Sequence, residues 1–238
     1  MATAFVQSKK AQGPPGASIS SYTVAFDANV TAGNLIAVFT AWGVSGRTVT
    51  ITDSLGNTYT QVDNDSGSNT WSFYAKNIAG GACTVTVNLS GAPASGYRTV
   101  AVHEVSGCDT TAPLDANAIQ AQASATHDSA DAVSSGADIT TVDGCYIFGG
   151  CIRTDDIPTV VFSPGTNFTG RESNSDGTNL GMRSEDRIQA SAGSVAATFT
   201  FSSATNWATA TVMMAFKPAA AGGPVIPVFM QQYRQRWN

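Results

Sequence analysis

The chain of 238 residues carries 12 Lys+Arg against 17 Asp+Glu, a net charge of −5 and a pI near 4.8, and only 12% of it is charged, about half the usual share. That balance excludes a protein that blankets nucleic-acid phosphates, which needs a basic face, and no apolar run reaches the 18 or so residues of a membrane-spanning helix. Its 24 Ser and 28 Thr outnumber the 29 charged residues, so the surface is mostly hydroxyl, and a length of this order suits one large all-β domain.

From the start, Met1 to Pro15 holds one apolar pair, Phe5 and Val6, followed by two lysines. No signal-peptide hydrophobic region is present. The expectation is synthesis in the cytoplasm without export, with residues 1–17 as an N-terminal extension. From Ser18 onward apolar residues recur with period two or in short runs bounded by Gly, Asn, Asp, Ser and Pro, the pattern of strands and turns. Strands are expected over Ser18–Phe26, Asn34–Trp42, Thr48–Thr52, Thr58–Asp63, Thr70–Lys76, Cys83–Leu89 and Tyr97–Ser106. A looser Ala/Ser/Asp stretch follows, with one edge strand over Ala116–Ala125 and a long loop to about Asp138. Strands resume over Cys145–Arg153, Thr159–Phe162, Leu180–Gln189, Ala196–Phe201 and Ala208–Lys217.

No segment reads as an amphipathic helix. The turn signals DSLGN (53–57) and NIAGG (77–81) join strands at antiparallel spacing. The fold class is therefore all-β, an antiparallel sandwich of jelly-roll or immunoglobulin-like kind. LIAVFTAW and CYIFGGCI are apolar on both faces and belong at the centre of sheets, whereas CTVTVNL alternates and keeps one wet face. No internal repeat divides the body, and residues 18–217 read as one sandwich domain.

The text changes after Lys217. Residues 219–223 form a small-residue hinge, Pro224 and Pro227 impose extended backbone, and the last ten residues hold Phe229, Met230, Tyr233, Arg234, Arg236 and Trp237. Residues 218–238 carry +2 and residues 1–217 carry −7. Aromatic residues with arginine on a Pro/Gly hinge have the composition of an interface anchor, so 218–238 reads as a docking tail with those six residues as its partner-binding set.

Catalytic chemistry finds little support. His103 in VAVHEVSG alternates away from Glu104 and reads as a satisfied strand histidine, and His127 reads as a turn residue. No GxSxG, HExxH, P-loop or GxGxxG occurs. The carboxylate neighbours Asp155/Asp156 and Glu185/Asp186 are adjacent in the chain, so on a strand they point to opposite faces. Cys83, Cys108, Cys145 and Cys151 lack zinc spacing and read as buried thiols. No catalytic residue, cofactor or metal is assigned. Calcium is the one ion with a partial pattern: Glu172, Asn174 and Asp176 alternate before Gly177 as in the first half of an EF-hand loop, but the closing carboxylate is replaced by Arg183. Trp42, Trp71 and Trp207 are the aromatic residues from which a sugar platform would be built, and core packing competes for each.

GNLIAVFTAWG, VTITDSLGNTYTQV, WSFYAKNIAGG, YRTVAVHEVSGCDTTAPLD and ATVMMAFKP together resemble a group of uncharacterised β-sandwich domains of bacteriophage structural proteins and bacterial surface proteins, over about residues 18–217. The resemblance implies display or attachment and brings no catalytic residues. A virion protein combines such a sandwich with the lack of an export signal. The expectation is a non-enzymatic virion subunit (capsid decoration, head fibre or tail-associated), docked through its termini on other virion subunits as a homo-oligomer or lattice-bound monomer. A carbohydrate- or receptor-binding module with a glycan partner is the alternative. Neither nucleic acid nor membrane is expected as a partner.

Overall fold

The computed structural model describes all residues except 15, 44, 66–68, 92–95, 128–131, 155–161, 176–179, 203–204 and 221–238, and within strands it leaves out the side chains of 121–127, 154, 175 and 205–208. The described residues form strands and no helix. The first eight are β1 (Ala4–Gln12), β2 (Ser21–Ala25), β3 (Leu35–Trp42), β4 (Val49–Asp53), β5 (Tyr59–Asp65), β6 (Thr70–Ala75), β7 (Thr84–Leu89) and β8 (Arg98–Ser106). The next ten are β9 (Leu114–His127), β10 (Ala132–Ser134), β11 (Asp138–Thr140), β12 (Cys145–Thr154), β13 (Phe162–Pro164), β14 (Thr169–Ser175), β15 (Leu180–Gln189), β16 (Gly193–Val195), β17 (Thr198–Phe201) and β18 (Thr205–Phe216).

The strands assemble into antiparallel sheets ordered β1-β8-β3-β6-β5 and β2-β7-β4 in the first half, and β9-β18-β12-β15-β14 and β10-β17-β13 in the second. The two orders are one pattern used twice. Even the small pair β11-β16 has its counterpart, the isolated bridge Val30↔Gly81. The bulges repeat as well: β1 skips between Phe5 and Gln7 against β8, and β9 skips between Leu114 and Ala116 against β18. Gly33 (φ 86°) and Gly144 (φ 78°), 111 residues apart, make the same left-handed turn into β3 and β12, a conformation that costs glycine nothing.

The expected single sandwich is thus corrected to two tandem repeats of one eight-stranded sandwich, within residues 4–106 and 114–216. The sequence hides this because a shared fold needs the same in–out alternation, not the same side chains. Trp42 of β3 faces Arg98 across the ladder, whereas Arg153 of β12 faces Thr209. Phe73 of β6 stands where β15 has Glu185, each beside the equivalent residue of the central strand, Val38 and Gly149.

Four layers result. Tyr22, Val24, Ile51, Val85 and Val87 of the small sheet pack on Ile36, Val38, Trp71 and Phe73 to fill sandwich one. Val133, Phe162, Phe199 and Phe201 pack on Ile147, Cys151 and Met213 to fill sandwich two. Between them the two five-stranded sheets lie back to back, with Leu35, Ala37, Phe39, Tyr74 and Ala101 against Tyr146, Phe148, Met182, Val212 and Met214. This explains why β3 and β12 are apolar on both faces: each is a central strand with a core on either side. β7 shows the expected alternation, with every second side chain buried.

The segment read as an N-terminal extension supplies β1, the edge strand beside β8. Its alternation is weak because Ser8 and Lys10 point to the second sandwich, where Ser8 Oγ donates to Glu172 at 2.6 Å and Lys10 Nζ donates to the Ser173 carbonyl. At the other end Pro218 still bridges Cys108, and the Ala219 N–H donates to the Gly107 carbonyl at 2.8 Å, so ordered pairing runs to 219 rather than 217.

Candidate functional site

The polar groups with chemical potential meet between the two central sheets. His103 of β8 is fully enclosed, with Nδ1 2.9 Å from the Tyr146 hydroxyl and Nε2 2.8 Å from Ser184 Oγ. Asp186 lies close enough to Tyr146 to act on its hydroxyl and is gripped by Arg171 through Nε and Nη2, while the Glu172 N–H donates to Ser184 Oγ at 3.1 Å. Burial, reinforced by the Arg171 charge, pushes the His103 pKa down to about 3, so the imidazole is neutral near pH 7, one ring nitrogen donating and the other accepting. Edge contacts from Phe148 (4.6 Å) and Phe5 (5.7 Å) close the ring in, and Arg171 lies 3.6 Å over the Phe5 ring.

A serine against a histidine nitrogen has the outline of a nucleophile and its base. Here both are buried, no carboxylate orients the imidazole, and a general base poised near 7 is absent from the pair. What the chain of hydrogen bonds does is join β8 of one repeat to β12 and β15 of the other. His103 and Glu104 face apart as expected. Glu104 accepts from the Thr31 N–H, Asn34 Nδ2 and Gln7 Nε2 at 2.6–2.7 Å and holds the 27–34 turn. Glu185 and Asp186 also face apart: Glu185 turns into sandwich two, accepting from the Gly165 and Thr198 N–H groups, and burial raises its pKa to about 8.

The calcium pattern is not assembled as a turn. Glu172 and Asn174 lie on strand β14 and point together at the first repeat, Glu172 to Ser8 and Asn174 Nδ2 to Thr99 Oγ1 at 3.0 Å. Asp176 lies outside the described residues. Among the described residues no group of three His, Cys, Asp or Glu is placed to hold a metal ion. Trp42 and Trp71 are buried in sandwich one, which removes them from any sugar platform; the Trp207 side chain lies outside the described residues. All four cysteines are buried free thiols with pKa values raised to about 12, chiefly by burial. Cys145 and Cys151 lie along one continuous strand and both face sandwich two. The six tail residues, Phe229, Met230, Tyr233, Arg234, Arg236 and Trp237, lie outside the described residues, as do Asp155 and Asp156.

The two ends of the molecule differ. At one pole Thr3 Oγ1 donates to the Gly144 carbonyl at 2.5 Å, the Lys217 N–H to Pro113, the Asp109 N–H to Lys217, and the Ala219 N–H to Gly107. Residues 2–3, the inter-repeat linker and 217–219 thus gather there. An open concavity of about 440 Å³ lies between the 55–58 corner and the 76–79 turn, but its polar walls are already engaged: Asn57 bonds Asp53 and the Ala79 N–H, and Lys76 bonds the Thr111 carbonyl. At the opposite pole Arg98, buried against the Trp42 ring, donates from Nη2 to the Pro14 and Ala17 carbonyls at 2.8 and 2.7 Å and pins the β1–β2 connection.

Sequence reasoning missed Tyr146, Ser184 and Arg171. The only legible signal was hydroxyls and charges inside otherwise apolar strands, and their convergence depends on a repeat pairing that the sequence does not display. Comparison with protein-family models, with curated proteins and with solved structures found no match.

Proposed function

We propose that the chain is a non-enzymatic structural subunit of a bacteriophage virion, anchored at one pole and presenting the other. The observation that carries this reading is the polarity of the molecule. Residues 2–3 and 217–219 sit together at one pole, so the +2 tail departs from there, while the strand ends Trp42, Arg98 and Thr99 lie at the far pole, a long dimension of packed sheet away. The nested pairing β1–β8, β2–β7 and β3–β6 is that of a hairpin rolled on itself, and we read each repeat as a jelly roll in which β5 closes the larger sheet beside β6. A hydroxyl-rich chain whose Ser184–His103 pair is fully buried suits a display scaffold better than a hydrolase. Phe229, Met230, Tyr233 and Trp237 serve as apolar anchors on a neighbouring subunit, with Arg234 and Arg236 pairing its acids or carbonyls.

The test is incorporation. Particles purified from the virus encoding the chain should contain it in fixed proportion to the major capsid or tail protein by quantitative mass spectrometry, and a chain ending at Ala220 should be folded yet missing from them. Purified particles without the chain, or normal incorporation of the shortened one, would refute the proposal.

A further inference from the structure

The two central sheets meet about a pseudo-twofold axis running along the strands. Strand β1 lies beside β14 and β5 beside β9, which places each edge strand of one repeat against the non-equivalent edge of the other, the arrangement of an isologous dimer. The contacts obey it residue by residue. Ser8 bonds Glu172, and the positions 109 residues away from each, Asn117 and Asp63, bond each other at 3.4 Å. On the axis a residue must meet its own counterpart, and Phe39 meets Gly150, 111 residues later; a Cβ on Gly150 would lie 2.6 Å from Phe39 Cδ1.

The symmetry is broken where it decides partner choice. The ladder positions of His103, Tyr146, Ser184, Asp186 and Arg171 correspond to Met214, Leu35, Ser72, Tyr74 and Val62. One side of the axis is thus a hydrogen-bonded polar lock and the other an apolar one, in which Tyr74 packs on Phe216 at 5.6 Å. A first repeat facing another first repeat would set Phe39 on Phe39 and give His103 Nδ1 a leucine in place of the Tyr146 hydroxyl. A second repeat facing another second repeat would set glycine on glycine, leaving a void, and would place Ser184 opposite Met214. Both mispairings leave steric error on the axis and unmatched polar groups on both flanks, each of which costs stability.

We infer that the inner face of each repeat is a heterospecific docking surface for the other repeat, competent in trans, so that the partner it fits outside its own chain is the complementary repeat of a second copy. This does not depend on the virion reading. A copy crowded among its fellows can then exchange repeats only in matched pairs.

The test uses the full chain with a protease site placed between the exposed Thr110 and Thr111. After cleavage of the folded protein the halves should co-elute 1:1. Mixing light and isotope-labelled nicked protein under reversible loosening by denaturant should yield, by native mass spectrometry, mixed pairs of first with second repeat only. Separation of the halves on cleavage, or first–first or second–second pairs, would overturn the inference. Gly150→Phe alone should weaken pairing at least tenfold, and adding Phe39→Gly should recover most of it. A double variant no better than the single one would contradict the size match on the axis.

Discussion

The side chains that decide this molecule's behaviour are buried and polar, and each is interpretable only with its partner. Tyr146 holds His103 Nδ1 across the repeat boundary. Tyr146→Phe leaves that buried nitrogen without a hydrogen-bond partner, and equilibrium unfolding in denaturant should show a loss of about 1–3 kcal/mol with an unchanged slope. His103 and Glu185 bend the pH profile in opposite senses. His103, held neutral with a pKa near 3 in the fold, binds a proton more readily when unfolded, so its contribution is complete above about pH 6.5 and is lost as pH falls toward 3. Glu185, with a pKa near 8 in the fold, holds a proton that the unfolded chain releases near its ordinary value, so stability drains away as pH rises from about 4.5 to 8. Glu185→Gln should flatten that alkaline decline whatever its constant offset; an identical slope from pH 5 to 8.5 in thermal unfolding would show that Glu185 is not the group responsible. The opposite facing of Glu185 and Asp186 was legible from strand alternation, as was His103 as a satisfied strand histidine facing away from Glu104. That His103 would meet Tyr146 and Ser184 was not, because they lie 43 and 81 residues downstream in another repeat.

At the scale of the element, long strands buried on both faces, such as β3, β8, β12 and β18, announce themselves as unbroken apolar runs. The strands that sequence reading passed over are edges or short pieces. β1 (AFVQSKKAQ) and β14 (TGRESNS) alternate weakly, because polar side chains find partners on both faces: Lys9 pairs with Asp27 of its own repeat at 2.7 Å, while Ser8 and Glu172 pair with each other across the repeats. β10, β11 and β16 are three residues each, below what periodicity resolves. The role of β1 follows from its position. It caps the β8 edge, covers His103 with Phe5, and ties Thr3 to Gly144. Deleting residues 1–12 should lower the unfolding midpoint by about 10 °C or more, since several kcal/mol of pairing and packing are removed and a bare β8 edge invites aggregation. A midpoint unchanged by that deletion would mean the strand is an appendage.

At the scale of the whole molecule, a duplicated sandwich joined about a pseudo-dyad places equivalent ends of both repeats at the same pole. Everything proposed about presentation follows from this, and nothing in local sequence pattern reveals it: the repeats share turns at Gly33 and Gly144 and matched bulges, while their facing residues have diverged into complementary sets. The all-β class, the antiparallel pairing and most strand positions were legible from alternation and turn chemistry; the count of sandwiches was not, since it depends on which buried face meets which. The proposed function requires a body complete at Ala219 and a tail that serves a partner. Calorimetry of the full chain beside one ending at Ala220 tests this most directly. If the tail serves a partner rather than its own fold, the unfolding midpoints should agree within about 1 °C. For a chain of this length each kcal/mol is worth about 2–4 °C, so a midpoint lower by several degrees in the shortened chain would show that the tail is part of its own fold and not a docking segment.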